Sequence, residues 1–162
     1  MKKRICSLLL AGLAILTLTA CGNESELEKY NKEVELFYTD VVACNDRINT
    51  IDANTETASA ELLEELDTLN ELFKDFAELK VPREYASVES LADEASVLMD
   101  EAITQYHTAF AGEVVNDFEA SLAYEKYCRA IVRINYIGDL LQGKKLEGEG
   151  INVIYEEASD SE

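Results

Sequence analysis

Histidine, cysteine and carboxylate side chains are the groups through which this chain of 162 residues could bind a metal or catalyse a reaction. Helical di-iron proteins need Glu-x-x-His on two helices, whereas the single histidine, His107, follows Thr104 at that spacing. The sequence holds neither Gly-x-Ser-x-Gly nor a Gly-rich phosphate loop. Adjacent acids such as Glu64 and Glu65 point apart on a helix instead of forming an acid/base pair. We therefore expect no metal, no cofactor and no enzymatic activity.

Three cations interrupt an otherwise acidic sequence. Lys126, Arg129 and Arg133 follow one another at spacings of three and four, which places them along one edge of a helix. Salt bridges to acidic neighbours are the simpler interpretation, with Glu125 and Arg129 as one i,i+4 pair. The alternative is an anion-binding strip that recognises a carboxylate or phosphate ligand.

The first twenty residues predict an export signal. Lys2, Lys3 and Arg4 precede an apolar stretch over residues 5–20, which is shorter than the roughly 20 residues that span a bilayer. A charged start, a short apolar core and small residues before a boundary are typical of a secretory signal peptide. Residues 1–20 are therefore set apart from the folded domain.

The boundary itself reads Leu18-Thr19-Ala20-Cys21. This resembles the lipobox of bacterial lipoproteins, Leu-x-Ala/Gly-Cys. The resemblance implies cleavage after Ala20, a diacylglycerol lipid on Cys21, and anchoring on the extracytoplasmic face of the cell membrane. Residues 21–24 would be the lipidated tether. Beyond the signal, the chain looks similar to small helical lipoproteins of Gram-positive bacteria, a likeness of general pattern that transfers no functional residue.

Four segments show apolar residues at alternating spacings of three and four, the pattern of amphipathic helices. We expect helices at about 25–52, 58–80, 82–111 and 117–142. Ser25 and Glu28 have capping-box spacing, Pro82 suits the first position of the third helix, and Gly143 suits a helix C-terminus.

The seven-residue spacing and the short connections predict an all-α fold, an up-down-up-down four-helix bundle over residues 25–143. A three-helix bundle is the alternative. In the fourth helix, the core seam is expected to run through residues that include Tyr124, Tyr127 and Ile131.

Cys44 and Cys128 are the cysteines left in the mature domain, and an exported protein can retain a disulfide. In an antiparallel arrangement of the first and fourth helices they lie ~13 Å and ~17 Å below the same end of the bundle. The depths are similar enough for a bridge. Two buried free thiols are the other possibility.

The mature chain is strongly acidic. The full sequence has 33 Asp and Glu against 14 Lys and Arg, and loss of the three leader cations leaves a charge of −22. Nucleic acid is therefore not an expected partner. Residues 144–162 form a flexible acidic tail, in which the apolar segment 151–155 is either solvated or a short binding motif.

These observations favour a lipid-anchored, non-catalytic lipoprotein that serves as a protein-interaction or structural module of the cell envelope. The alternative is a small-solute-binding lipoprotein with a pocket between helices, lined by Tyr106, Tyr124 and Tyr127. A cavity of ~300 Å³ or more with convergent polar groups would favour that alternative.

Overall fold

A computed structural model describes residues 25–144. This part of the chain contains four α-helices and no strand: α1 (Glu26–Thr50), α2 (Ala58–Ala77), α3 (Ala86–Phe110) and α4 (Asp117–Leu141). The predicted leader, the tether with Cys21, and the tail beyond Lys144 with its segment 151–155 lie outside the described residues.

Side chains close to the helix ends account for where α1 and α4 begin. The Ser25 Oγ accepts a hydrogen bond from the Glu28 backbone N–H at 3.1 Å, and the Glu28 carboxylate accepts one from the Ser25 N–H at 2.9 Å. This is the reciprocal capping box. At α4, the Asn116 side chain accepts from the backbone N–H groups of Phe118 and Glu119.

The end of α4 is a Schellman turn. Gly143 has φ +70°, its N–H donates to the Leu140 carbonyl, and the Lys144 N–H donates to the Asp139 carbonyl. The two bonds satisfy carbonyls that the last helical turn leaves without partners. The left-handed conformation requires a residue without a Cβ, which is why glycine stands at this position.

The connection between α2 and α3 differs from the expectation. The second helix ends at Ala77 rather than near residue 80, and Pro82 precedes a 3-10 turn, Arg83–Tyr85, instead of starting α3. Proline disfavours helical geometry in the residue before it, so α2 cannot continue through Val81, and it ends three residues short of the expected position. Tyr85 has φ −117° and ψ 24°, so the α-helix begins only at Ala86.

Consecutive helices run antiparallel, as side-chain pairs at both ends of each interface show. The pairs are Glu26–Lys80 and Arg47–Glu65 between α1 and α2, Asp67–His107 and Lys74–Asp100 between α2 and α3, and Glu94–Arg133 and Glu101–Lys126 between α3 and α4. The predicted all-α, up-down-up-down four-helix bundle is confirmed, rather than the three-helix alternative.

The tightest interface joins α3 to α4. Small residues are buried on both sides of it: Ala92, Ala95, Ala102 and Ala109 on α3, and Ala123 and Ala130 on α4. Short side chains let two helix backbones approach closely. The remaining core is filled by large apolar side chains, among them Phe37, Leu69, Phe73, Met99 and Ile134.

Helix α1 closes the bundle against α4 through one buried tyrosine. The Tyr38 hydroxyl donates to the Ile134 carbonyl at 2.6 Å. Gly138 lies beside this contact, and a Cβ at its position would stand 3.1 Å from the Tyr38 Oη. Burial raises the pKa of Tyr38 strongly, so the hydroxyl stays protonated and keeps its hydrogen bond.

Candidate functional site

The three cations of α4 do not stand free as a strip. Lys126 Nζ lies 3.0 Å from Glu101 Oε2, and Arg133 Nε lies 3.2 Å from Glu94 Oε2. Both glutamates belong to α3, so two of the three charges are neutralised across the α3–α4 interface. The local alternative, an ion pair between Glu125 and Arg129, is not among the ion pairs of the described residues.

Arg129 is the remaining cation, and it is exposed. No ion pair joins it to another residue within 25–144. It lies on the side of α4 that faces away from the other described helices. At about 100° per residue it is about 140° around the helix from the buried Ile134 and about 120° from the buried Ala123.

The same side of α4 carries a second row of residues at spacings of four and three. We call it the outer α4 face: Phe118, Leu122, Glu125, Arg129, Val132 and Tyr136. Phe118 is 68% exposed, and Leu122 and Val132 are each 37% exposed. At the turn before α4, Val114 is 84% exposed and extends the apolar surface.

The outer α4 face has no net charge, because Glu125 and Arg129 balance. The described domain as a whole, residues 25–144, holds 26 acids and 10 bases. An uncharged surface with exposed apolar side chains is therefore unusual on this molecule. Exposed apolar patches of this kind mark contact sites in many soluble proteins.

The predicted disulfide between Cys44 and Cys128 is not formed in the structure. Cys44 is buried against α2, where its Sγ lies 3.2 Å from the Glu65 carbonyl oxygen. The two cysteines are at nearly the same depth, because each lies six residues from the contact of Tyr38 with Ile134. Six residues also turn the side-chain direction by about 240°, so the cysteines point to different neighbours.

The surroundings of the Cys44 thiol make it a poor nucleophile. Burial, and then the neighbouring Glu65 carboxylate, raise its pKa to about 11. The guanidinium of Arg47 holds that carboxylate through its Nε, 2.8 Å from Oε1 and 2.9 Å from Oε2. A nucleophilic role needs the thiolate, and this environment disfavours it.

A cleft of about 330 Å³ opens to solvent where α1 ends and α2 begins. It is lined by Arg47, Thr50, Ile51, Glu61, Glu64 and Glu65. Its volume passes the threshold for a solute site, but it lies at one end of the bundle, between the end of α1 and the start of α2, and not within the bundle. Its one cation already pairs with Glu65.

The three tyrosines proposed to line a pocket differ in how far their side chains are exposed to solvent. Tyr106 is partly buried, and burial raises its pKa to about 12. Tyr124 is exposed, although the seam prediction placed it in the core. Tyr127 is partly buried, and its ring stacks on that of Tyr124 with centroids 6.4 Å apart. The histidine, His107, is exposed, with its Nε2 2.7 Å from Asp67 Oδ1.

Sequence reasoning missed two features that the structure brings out. The first is Asn70, which is 8% exposed at the α2–α3 interface and whose Oδ1 has no hydrogen-bond partner among residues 25–144. The second is the outer α4 face. Its 4-3-4-3-4 spacing from Phe118 to Tyr136 was visible in the sequence, but the parallel core seam on the same helix hid it.

Comparison with known proteins adds no assignment. No family model matches the chain, and no significant match was found among curated proteins or solved structures. Within residues 25–144, no helix is both long enough and apolar enough to cross a membrane. The same part of the chain has no group of three or more side chains of His, Cys, Asp or Glu arranged to hold a metal ion.

Proposed function

We propose that this protein is a lipid-anchored, extracytoplasmic module that acts by protein–protein contact and not by catalysis. The observation that carries the contact role is the outer α4 face, where Phe118 and its apolar neighbours are exposed on a neutral stripe. Leaving such side chains in water forgoes about 25 cal/mol for each Å² that a partner would cover. The stripe therefore favours a bound protein surface.

The location rests on the leader and on Leu18-Thr19-Ala20-Cys21, the lipobox-like boundary. Lipid on Cys21 would hold the domain at the membrane surface, with the capped start of α1 only a few residues away. Two acyl chains anchor a protein firmly where one is marginal. The domain's charge of −16 over residues 25–144 repels nucleic acid and favours partners whose contacting surface is cationic or neutral.

Fractionation of cells that express the full chain tests the anchor. The wild-type chain should incorporate labelled fatty acid, lose residues 1–20 and sediment with membranes. The Cys21→Ser variant should lose the label and leave the membrane fraction, because the thioether that holds the lipid cannot form. Cys128→Ser is the matched control and should behave as wild type. Unlabelled wild-type protein in the soluble fraction would rule out the lipid anchor.

Photocrosslinking in intact cells tests the contact role. A photoreactive amino acid at Phe118 should give discrete crosslinked products, because this position is on the proposed contact surface. The same amino acid at Glu33, an exposed position on α1, is the matched control and should give few. Equal products from both positions, or none from Phe118, would reject the outer α4 face as a contact surface.

A small-solute-binding lipoprotein is the second candidate, and the cleft beside Arg47 and Glu65 favours it by volume. The carboxylates at its rim suit a cationic solute. Calorimetric titration with a panel of cationic metabolites tests it. Binding that the Glu61→Gln and Glu64→Gln variant loses would support this candidate, and an absence of heat across the panel would count against it.

A further inference from the structure

We infer that the outer α4 face binds a second copy of this chain, with the two α4 helices antiparallel. The inference deepens the proposed function by naming the partner, and it rests on the claim that this face is a contact surface. It concerns only residues 118–136, all of which the structure describes.

The order of residues on the face is what identifies the partner. In an antiparallel pair related by a two-fold axis, residue i lies level with residue j of the other copy when i and j add to a constant. When the axis lies beside Tyr127, three pairs of residues lie level with each other across the interface, and we call each pair a layer. The layers are Phe118 with Tyr136, Leu122 with Val132, and Glu125 with Arg129. Every member of the outer α4 face thus has a matching member.

The chemistry of each layer fits. Phe118 meets another aromatic ring, Leu122 meets a branched apolar side chain, and Glu125 meets the exposed cation Arg129. Since the two-fold axis repeats each layer, the interface holds two such ion pairs. Arg129 forms no ion pair with any residue of its own described chain, so no existing contact is lost on association.

The same residues oppose a parallel pair. In that arrangement each residue lies beside its own copy, so Glu125 would face a second glutamate and Arg129 a second arginine. Like charges directly across a helix interface are destabilising. The charge order therefore favours the antiparallel direction.

The size of the face indicates how strong the pair is. From residue 118 to residue 136 the helix extends for about 27 Å. A stripe about 10 Å wide covers ~270 Å² of each copy, well under the ~800 Å² per partner of a standard stable interface. We expect a weak dimer that forms where the protein is concentrated, as lipid anchors on one membrane would make it.

Antiparallel pairing also constrains the two anchors. The start of α1 and the end of α4 are at the same end of the bundle, as the Glu26–Lys80 pair and the antiparallel helix order require. With Tyr38 level with Ile134, the α1 starts of the two copies then lie roughly 55 Å apart along the pair. Both tethers reach one membrane only if the helices lie along its surface.

Cysteine crosslinking in cells that express the full chain tests the pairing. In a Cys128→Ser background, the double variant Leu122→Cys with Val132→Cys should give a product of twice the chain mass with a short bis-maleimide. Leu122→Cys alone should give about ten-fold less, because the two copies of residue 122 lie ~15 Å apart in the antiparallel pair. The control, Leu36→Cys with Val97→Cys, has two exposed apolar positions on α1 and α3 and should give none.

Two outcomes of that experiment would overturn the inference. One is a doubled mass from Leu122→Cys alone at the level of the double variant, which would mean a parallel pair. The other is no doubled mass from the double variant while a monofunctional maleimide labels both cysteines. Products from Phe118 photocrosslinking that contain only other proteins would reject the dimer and leave the proposed contact role standing.

Charge reversal tests the central layer. Glu125→Arg and Arg129→Glu, each alone in the crosslinking background, should reduce the doubled product about ten-fold, because both ion pairs become repulsive. Co-expression of the two variants should restore it, since each mixed pair regains opposite charges. If the two substitutions only weakened α4 within each copy, co-expression of the variants would not restore the crosslinked product. Full crosslinking by either single variant, or no rescue in the mixture, would reject the Glu125–Arg129 contact.

Discussion

Cys44 illustrates how one buried side chain takes its chemistry from its neighbours. Its thiol lies against the Glu65 carbonyl, and the carboxylate of the same residue is held nearby by Arg47. Loss of water contact disfavours the thiolate, and a nearby negative charge disfavours it further. The residue thus packs as a small apolar group.

We predict that native Cys44 resists alkylation. At pH 8 a thiol with a pKa of about 11 is ionised roughly 200-fold less than one in an unfolded chain, whose pKa is about 8.5. Iodoacetamide should therefore modify Cys44 at least about 100-fold more slowly in buffer than in urea, as measured by mass spectrometry of the peptide containing it. Equal rates in the two solvents would contradict the burial of the thiol.

Contacts between residues within one helical turn were predictable from the sequence, and contacts between different helices were not. Ser25 caps Glu28, and Gly143 ends α4, because each contact spans only a few residues. Lys126 and Arg133 instead find Glu101 and Glu94 on another helix. Choosing those partners requires the register of α3 against α4, which spacing along one helix does not contain.

At the scale of the helices, the contact between α1 and α4 depends on a missing side chain. Gly138 leaves room for the Tyr38 hydroxyl, which lies 3.1 Å from where a Cβ would be. Tyr38 cannot move aside without giving up its hydrogen bond to the Ile134 carbonyl. A helix interior normally favours alanine over glycine by about 1 kcal/mol, so this glycine is retained against its helix propensity.

A double-mutant cycle should expose this dependence. Gly138→Ala in the natural chain should lower the free energy of unfolding, because the new methyl group meets the Tyr38 Oη. Tyr38→Phe should cost about 1 kcal/mol through the lost hydrogen bond. In the Tyr38→Phe background, Gly138→Ala should be neutral or stabilising, since the nearest remaining atom is Cζ at 3.7 Å. Urea unfolding measures all four proteins, and additive effects would contradict the contact.

Asn70 is the polar exception between α2 and α3. Its Nδ2 donates to Asp100 Oδ1 at 2.9 Å, while its Oδ1 is buried and accepts no hydrogen bond from the part of the chain that the structure describes. That hydrogen bond, and then the one from Lys74, lower the pKa of Asp100. The arrangement fixes Asn70 in one orientation, at the expense of a desolvated carbonyl.

Replacing Asn70 in two ways should separate these effects. Asn70→Leu should raise the free energy of unfolding by about 1 kcal/mol, because the buried acceptor is removed and Asp100 keeps Lys74. Asn70→Asp should lower it by about 2 kcal/mol at pH 7, since two carboxylates then adjoin. Repulsion between the two carboxylates of this variant should raise their pKa above that of Asp100 in the natural protein, so the loss should shrink as the pH falls toward 4. A destabilised Asn70→Leu protein would mean that the hydrogen bond from Asn70 Nδ2 to Asp100 outweighs the cost of burying the Oδ1.

The helix spans were predictable from apolar spacing, and so was most of the buried side of α4, where Ile131 and Ile134 lie in the core as expected. The spacing placed Tyr124 in the core, yet the structure buries Ala123 and Ala130 there. Small side chains contribute little to an apolar pattern, although they let α3 and α4 approach closely. The helix carries two rows at heptad spacing, and packing against α3 decides which one is the core.

At the scale of the whole molecule, the topology was predictable from the sequence, but whether two particular side chains on different helices meet was not. Seven-residue spacing and short loops are enough to require antiparallel neighbours, and the structure has them. The same reasoning set Cys44 and Cys128 at similar depths, as found. It failed on direction, because the rotation of each helix about its own axis is set by side-chain packing that no single helix encodes.

The strong negative charge sets how the fold responds to salt. Residues 25–144 hold 26 acids and 10 bases, so the compact state repels itself, whereas its exposed ion pairs contribute little. Raising NaCl from about 0.02 M to about 0.3 M should therefore increase the free energy of unfolding by on the order of 1 kcal/mol, as the Debye length shortens. Urea titrations at low protein concentration measure this without the dimer. A triple variant, Glu33→Lys with Glu89→Lys and Asp93→Lys, changes three exposed acids and should show a smaller increase. Stability that falls with salt would mean that pairs such as Lys74–Asp100 outweigh the repulsion.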